Sequence, residues 1–218
     1  ALPNGDVLAL DAITTARLQV IHNAADPAAA SVDVYLNGSI LLDDFAFRAA
    51  TPFIDAPAGE AIDVGVAAGS SSSAADTLKN FNLTLTPGET YVAVANGVLD
   101  PASFADNPDG RETGFGLFIN AMGQEMAQDP ESVELSILHG ATDAPTVDIV
   151  ARDVAALVDD AAYGDMTDYL AVPPMSYLLD ITDASGETRL LTYSADLSGL
   201  AGGAAVVFAS GFLAPQDN

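Results

Sequence analysis

The chain has 218 residues with 31 acidic and 6 basic side chains, a formal net charge of −25, and no cysteine. Half of the residues are hydrophobic, which predicts a folded acidic protein and not a disordered acidic tail. The charge disfavours nucleic acid and anionic lipid as partners, and the lack of cysteine excludes disulfides, thiolate metal sites and thiol nucleophiles. No run of about 18 apolar residues occurs, so no membrane insertion is expected.

The chain opens with an extension, residues 1–16, which begins with Ala-Leu-Pro. This start fits a mature chain left after signal-peptide cleavage, so we expect an extracellular or cell-surface location; a trimmed chain is the alternative. The extension contains a strand-like apolar run that lies outside the repeats described below: Val7, Leu8, Leu10 and Ile13. It either adds an edge strand to its own first domain or pairs with the sheet of the next molecule.

The chain then presents one pattern twice, in residues 18–38 and again in residues 135–152. The matched positions are His22 with His139, Asp26 with Asp143, and Asp33 with Asp148. These are the only two histidines in the chain. An internal repeat of this kind predicts a tandem architecture. We place the first repeat at 17–98, a bridge at 99–132 and the second repeat at 133–218.

Short strands dominate both repeats, because apolar residues alternate with polar ones in runs bounded by Pro, Gly, Asn or Asp. Asn37-Gly38 between two apolar runs predicts a hairpin. In the second repeat, residues 151–162 fit either a hairpin or a short helical turn, and in the bridge residues 115–126 predict an added strand followed by a loop. The pattern is typical of an all-β protein with two tandem immunoglobulin-like antiparallel β-sandwich domains.

The repeated histidines and aspartates allow two interpretations. A histidine four residues before a carboxylate could form an acid–base pair or a metal ligand set. The favoured interpretation is structural: an imidazole that bonds the backbone of the Asp-containing loop, with Asp33 and Asp148 bracing neighbouring loops. A folding device is expected in both repeats, whereas a catalytic site is rarely duplicated, and no nucleophile motif accompanies either histidine.

The bridge contains a cluster of oxygen ligands around a glycine, which resembles a calcium loop. The three carboxylates of this weak calcium candidate are Asp106, Asp109 and Glu112. Their spacing does not match an EF-hand, and the favoured alternative is a solvated acidic turn. No other cofactor is indicated.

The motif of the second repeat, His-x-x-x-Asp-Ala-Pro-x-Val-Asp over residues 139–148, resembles the signature of the bacterial secreted family called domain of unknown function 4397. The first repeat fits the same pattern with a two-residue insertion, and Pro57-Ala58-Gly59 is similar to the turn that follows in the family. The second repeat departs at that turn, where Pro174-Met175 stands. The resemblance implies an extracellular β-sandwich, and it transfers no catalytic residue.

We therefore expect a non-enzymatic extracellular structural protein. The sharper hypothesis is a self-assembling subunit of a cell-surface filament, in which the N-terminal strand pairs with the next copy and the main partner is the chain itself. The alternative is a monomeric adhesin or glycan-binding module. The chain has no Trp, and its 6 Tyr and 9 Phe lie mostly at strand positions, which weighs against carbohydrate stacking.

Overall fold

The computed structural model describes residues 3–4 and 10–214, and this part of the chain is all-β apart from three short 3-10 turns. The first repeat contributes β1 (Thr15–His22), β2 (Ser31–Leu36), β3 (Ser39–Ala46), β4 (Ile54–Pro57), β5 (Ala61–Ala68), β6 (Lys79–Thr84), β7 (Thr90–Asn96) and β8 (Gly116–Asn120). The second contributes β9 (Val133–Leu138), β10 (Val147–Ala151), β11 (Ala155–Ala161), β12 (Leu170–Val172), β13 (Ser176–Asp183), β14 (Arg189–Asp196) and β15 (Ala204–Phe208). The predicted fold class, two tandem β-sandwiches, is confirmed.

Each repeat consists of two sheets that enclose an apolar core. In the first repeat an inner sheet of order β4-β1-β7-β8 pairs with an outer sheet of order β3-β2-β5-β6. In the second repeat the corresponding sheets have the orders β12-β9-β15 and β11-β10-β13-β14. The predicted turn at Asn37-Gly38 forms the β2–β3 hairpin, where both residues have the positive φ (49° and 79°) of a tight hairpin turn. Residues 151–162 form the β10–β11 hairpin and not a helical turn.

The sandwiches are not purely antiparallel. The first strand of each repeat lies in parallel beside a later strand of the same sheet: β1 pairs with β7, and β9 pairs with β15. A parallel pair needs a long crossover between its strands, and here the remainder of the repeat provides that connection. This placement leaves one edge of the later strand, β7 or β15, facing away from the first.

The two repeats differ at that edge. In the first repeat β8, the strand predicted in the bridge, pairs antiparallel with β7 from Val92↔Asn120 to Asn96↔Gly116. Strand β8 therefore belongs to the sheet of the first repeat although it lies in the predicted bridge. In the second repeat no strand of the described chain pairs with the free edge of β15.

The inner sheets of the two repeats pack against each other. A shared buried cluster joins Ile21, Val92 and Val94 of the first repeat to Leu138 of the second. Hydrogen bonds cross the same interface: Asn23 Nδ2 donates to the Ala209 carbonyl over 3.0 Å, and Asn96 Nδ2 donates to the Gly140 carbonyl over 3.1 Å.

Gly140 lies at a point of close approach in this interface. A Cβ atom there would collide with the Ala209 carbonyl oxygen and with the Asn23 side-chain amide. Only glycine therefore fits at position 140 without a shift of the neighbouring backbone.

Candidate functional site

The first of the paired histidines, His22, is fully buried at the end of β1. Its Nδ1 atom accepts a hydrogen bond from the Ala24 N–H over 3.3 Å, so the proton lies on Nε2, which donates to the Ala29 carbonyl over 2.7 Å. Burial lowers the pKa of His22 from its ordinary value, which keeps the ring neutral. The imidazole thus connects the end of β1 to the loop that leads into β2.

The second histidine, His139, has the same placement after β9. Its Nε2 atom lies 3.1 Å from the Pro145 carbonyl oxygen, and its ring meets Tyr163 edge-on, as the ring of His22 meets Phe47. The copies differ in one respect, because His139 Nδ1 is buried with no hydrogen-bond partner in the described chain. In both repeats the ring faces backbone and aromatic side chains.

The carboxylates that follow four residues later do not hydrogen-bond to the histidines. Asp26 accepts hydrogen bonds of 2.8 Å from the backbone N–H groups of Ala28 and Leu99. Asp143 accepts bonds of 2.7 and 2.8 Å from Leu213 and Ala214. Each aspartate therefore connects its loop to the chain that follows β7 or β15, and neither aspartate hydrogen-bonds to the histidine of its repeat.

The second pair of aspartates braces a strained position in the neighbouring hairpin. Asp33 accepts from the Asp44 N–H over 2.9 Å, and Asp148 accepts from the Asp160 N–H over 2.8 Å. Asp44 and Asp160 both have positive φ, at 51° and 53°. Burial acts to raise the pKa of Asp33, but hydrogen bonds from Ser71 and from the Asp44 backbone outweigh it and hold that pKa below its ordinary value. The structural interpretation of all six residues stays a prediction, and mutation tests it.

The bridge carboxylates do not converge. No group of three His, Asp or Glu side chains that could hold a metal ion occurs in residues 3–4 and 10–214. Asp109 instead accepts bonds from the backbone and hydroxyl of Thr146 in the second repeat, over 2.6 and 2.9 Å. Asp106 and Glu112 do not join Asp109 in a group of this kind. Asp109 connects the loop to the second repeat, and the calcium site stays a prediction.

The most distinctive surface feature lies between the sheets of the second repeat. The sandwich of the first repeat encloses a cavity of about 50 Å³, whereas the equivalent space in the second repeat is a groove of about 540 Å³. We call it the β14–β15 groove, since those two edge strands form its mouth. Its walls are mainly aliphatic and aromatic side chains, among them Leu135, Ile137, Val147, Ile149, Leu179, Ile181, Leu191, Tyr193 and Val207.

The chain segment that begins β8 accounts for the difference between the repeats. Phe115 is buried in the core of the first repeat, and its ring centroid lies 6.2 Å from that of Phe81 on β6. Leu117 on β8 packs into the same cluster. Together these side chains close the sandwich between β6 and β7, and the described part of the second repeat contains no equivalent segment.

Side chains at equivalent positions of the two repeats differ in exposure where the segment at β8 covers only the first repeat. Val207 on β15 takes the place that Ala93 takes on β7, since each lies beside the corresponding residue of the first strand. Ala93 is 4% exposed and Val207 is 37% exposed. Tyr193 on β14 takes the place of Phe81 and is 56% exposed, whereas Phe81 is partly buried against Phe115.

The sequence carried a signal for this groove that composition alone did not show. A strand segment, Phe115 to Asn120, follows β7 in the first repeat, and the residues described after β15 in the second repeat, 209–214, form no strand. Strand alternation alone does not distinguish β14 and β15 from β6 and β7.

The predicted assembly residues lie partly within the described chain. Leu10 is 87% exposed and Ile13 is 65% exposed, while Val7 and Leu8 lie outside the described residues. Neither Leu10 nor Ile13 lines the β14–β15 groove. Thr15 and Ala16 of the predicted extension are instead the first residues of β1, and Ala16 is buried.

The fold and its repeated loop anchors define a tandem β-sandwich protein. No helix in the described residues is long and apolar enough to cross a membrane. The chain belongs to the family described as domain of unknown function (DUF4397), whose model matches residues 15–114 and again residues 133–216. The resemblance stated from the motif, two tandem copies of this domain, is thereby confirmed.

Similarity to other known proteins is slight. No curated protein matches the chain. One solved structure is similar to 88% of this chain and to 93% of its own chain, with 11% sequence identity and a TM-score of 0.24; it comes from work titled "Alpha-glucan recognition by family 41 carbohydrate-binding modules from streptococcal virulence factors". A similarity at this level carries no argument about the function of the present chain.

Proposed function

We propose that this protein is a non-enzymatic, exported structural subunit that assembles with copies of itself through its N-terminal extension. The observation that carries the proposal is the exposure of Leu10 and Ile13 in an apolar segment ahead of β1. Exposed apolar surface is unfavourable by roughly 25 cal/mol per Å², so a partner surface that covers these side chains lowers the free energy.

The extension also has the properties of a strand that pairs with another chain. Residues 6–14, Asp-Val-Leu-Ala-Leu-Asp-Ala-Ile-Thr, contain no proline or glycine and combine apolar residues with two acidic ones. Pairing with a sheet edge would satisfy the backbone groups of such a segment along its length. A contact of this type is head-to-tail, and if it does not close into a ring it produces a filament.

Deletion of residues 1–14 tests the proposal, because it ends before the buried Ala16 of β1 and leaves both sandwiches intact. We expect the truncated chain to keep the melting temperature of the full chain and to lose assembly in light scattering and negative-stain microscopy. Leu10→Asp should act in the same way. Leu78→Asp is the matched control, since Leu78 is an exposed leucine of the first repeat outside the extension.

Normal polymerisation of the truncated chain would refute this role of the extension. Dispersed particles from the full chain at every protein and salt concentration would refute self-assembly itself. In that second case the adhesin or glycan-binding function becomes the better account, and glycan-array binding of the full chain is the measurement to make.

A further inference from the structure

We infer that the β14–β15 groove of the second repeat is the acceptor site for the N-terminal extension of a second copy, which inserts there as a strand that has no counterpart in the described part of the second repeat. This inference rests on the proposed self-assembly and names the surface that carries it. Strand β8 of the first repeat is the internal template, since it fills the equivalent groove within the same chain.

The template fixes how a donor strand would lie. Strand β8 runs antiparallel to β7, with Leu117 opposite Ala95 and Ile119 opposite Ala93. Side chains at alternate positions point to one face, so Leu117 and Ile119 share the face of Phe115. A donor strand in the β14–β15 groove needs the same pattern: antiparallel to β15, with a large apolar residue at the first two of three alternating positions.

The extension matches this pattern in one register. Leu8 falls at the position of Phe115, Leu10 at that of Leu117, and Ala12 at that of Ile119. Ile119 is itself exposed in the first repeat, so a small residue suffices at the third position. In this register Leu10 lies opposite Ala209 and Ala12 lies opposite Val207, because those residues are the counterparts of Ala95 and Ala93.

Charge at one end of the groove favours the same orientation. Arg48 lies at the groove end near Ser210, donating to its hydroxyl over 2.9 Å, and forms no ion pair with any described residue. An antiparallel donor brings its N-terminal end, which contains Asp6, to this end of β15. Arg48 has no carboxylate partner in the described chain, although the protein has a net charge of −25. It is therefore well suited to form an ion pair with Asp6 of the donor.

The occupant is a second copy because the described apolar residues of the chain's own extension lie outside the groove. Leu10 and Ile13 are exposed, and neither lines the groove. The chain therefore presents a donor segment and an acceptor groove at once. Head-to-tail insertion leaves a free donor at one end and a free groove at the other, so it can continue into a filament.

Disulfide trapping in the full-length protein tests the register directly, since the native chain has no cysteine that could interfere. We expect Ala12→Cys combined with Val207→Cys to give, on mild oxidation, a ladder of covalent dimers, trimers and longer species that a reductant removes. Opposite residues in an antiparallel pair have Cβ atoms about 4.5–5.5 Å apart, close to disulfide geometry. Ala12→Cys combined with Ile40→Cys is the control, because Ile40 is exposed on β3, away from the groove.

A second variant keeps the test independent of oxidation. Val207→Asp places a charge in the groove mouth at an already exposed position, so we expect an unchanged melting temperature and at least a tenfold rise in the concentration needed for assembly. Val154→Asp is the matched control, as Val154 is an exposed valine in the β10–β11 turn.

The outcomes distinguish a failure of the acceptor site from a failure of the proposed self-assembly. Filaments without the ladder, together with normal assembly of Val207→Asp, overturn the groove as acceptor while self-assembly stands. A monomeric product in which the two introduced cysteines are joined within one chain shows that the extension inserts into its own groove and overturns the second copy as occupant. If the unmodified protein does not assemble at all, the proposed function fails and the acceptor site fails with it.

Discussion

At the scale of single residues, the two histidines act through backbone contacts. His22 and His139 each hold the carbonyl of a loop residue, and the aspartates near them bind backbone N–H groups. We expect His22→Ala and His139→Ala to lower the free energy of unfolding by about 1–3 kcal/mol each, as for loss of a buried hydrogen-bond partner. Amide hydrogen exchange should show the loss mainly in the repeat that carries the mutation.

Assembly should survive in both histidine variants wherever the fold does. A variant that melts like the native chain but no longer assembles or binds would overturn the structural role. Histidine-to-asparagine variants are useful companions, because they keep a hydrogen-bond donor and should lose less stability than the alanine variants.

The buried ring of His22 also predicts a pH dependence. Burial lowers the pKa of His22 in the folded state, so the unfolded chain binds the proton more readily. The contribution to stability is therefore complete above the ordinary histidine pKa of about 6.5 and decreases as the pH falls from there towards the folded-state pKa, with a limiting slope of about 1.4 kcal/mol per pH unit.

This pH effect is measured best as a difference between two proteins. Urea unfolding between pH 7.5 and 5 in high salt should show a steeper loss for the native chain than for His22→Asn, since the general titration of the acidic surface is common to both. Parallel pH profiles for the two proteins would show that the neutral ring of His22 is not what the fold requires.

At the scale of strands, Phe115 and β8 close the space between the two sheets of the first repeat. Phe115→Ala removes a buried ring and leaves a cavity, so we expect a loss of about 3–5 kcal/mol in the free energy of unfolding. Ile119→Ala on β8 is the control, and it should cost much less because Ile119 is exposed. Equal losses would show that β8 does not fill the sandwich as described.

The strand pattern explains which features could be predicted from the sequence. Period-two alternation and the Asn37-Gly38 turn depend on local geometry, so the sandwiches, that hairpin and the added strand were all predictable. The groove was not predictable, because an apolar residue on an edge strand gives the same sequence pattern whether or not a neighbouring strand covers it. Val207 and Ala93 have equivalent places in their repeats, and only the presence of β8 beside one of them separates their exposure. The bond between Asp109 and Thr146 was not predictable for a similar reason, since spacing along the chain does not reveal a contact between the repeats.

At the scale of the whole molecule, the net charge of −25 predicts sensitivity to salt. Lowering the ionic strength from about 0.15 M to about 0.01 M lengthens the Debye length from about 8 Å to about 30 Å, so repulsion among the acidic side chains increases. We expect the melting temperature to fall and any assembly to loosen at low salt, and sodium or potassium chloride to restore both equally.

Divalent ions provide the control for this salt effect. Calcium and magnesium at the same ionic strength should act alike if screening is the cause. A stabilisation that calcium alone provides would instead support the ion site predicted from Asp106, Asp109 and Glu112. Equal stability at low and high salt would show that the acidic surface is too dispersed to matter.

The most direct test of the central claim is an image of the assembled protein at side-chain resolution. Cryo-electron microscopy of the full-length chain should show filaments in which residues 6–13 of one copy form a strand antiparallel to β15 of the next, with Leu8 and Leu10 inside the β14–β15 groove. Filaments in which the outer edge of β15 stays uncovered, or preparations that contain only single particles, would contradict it.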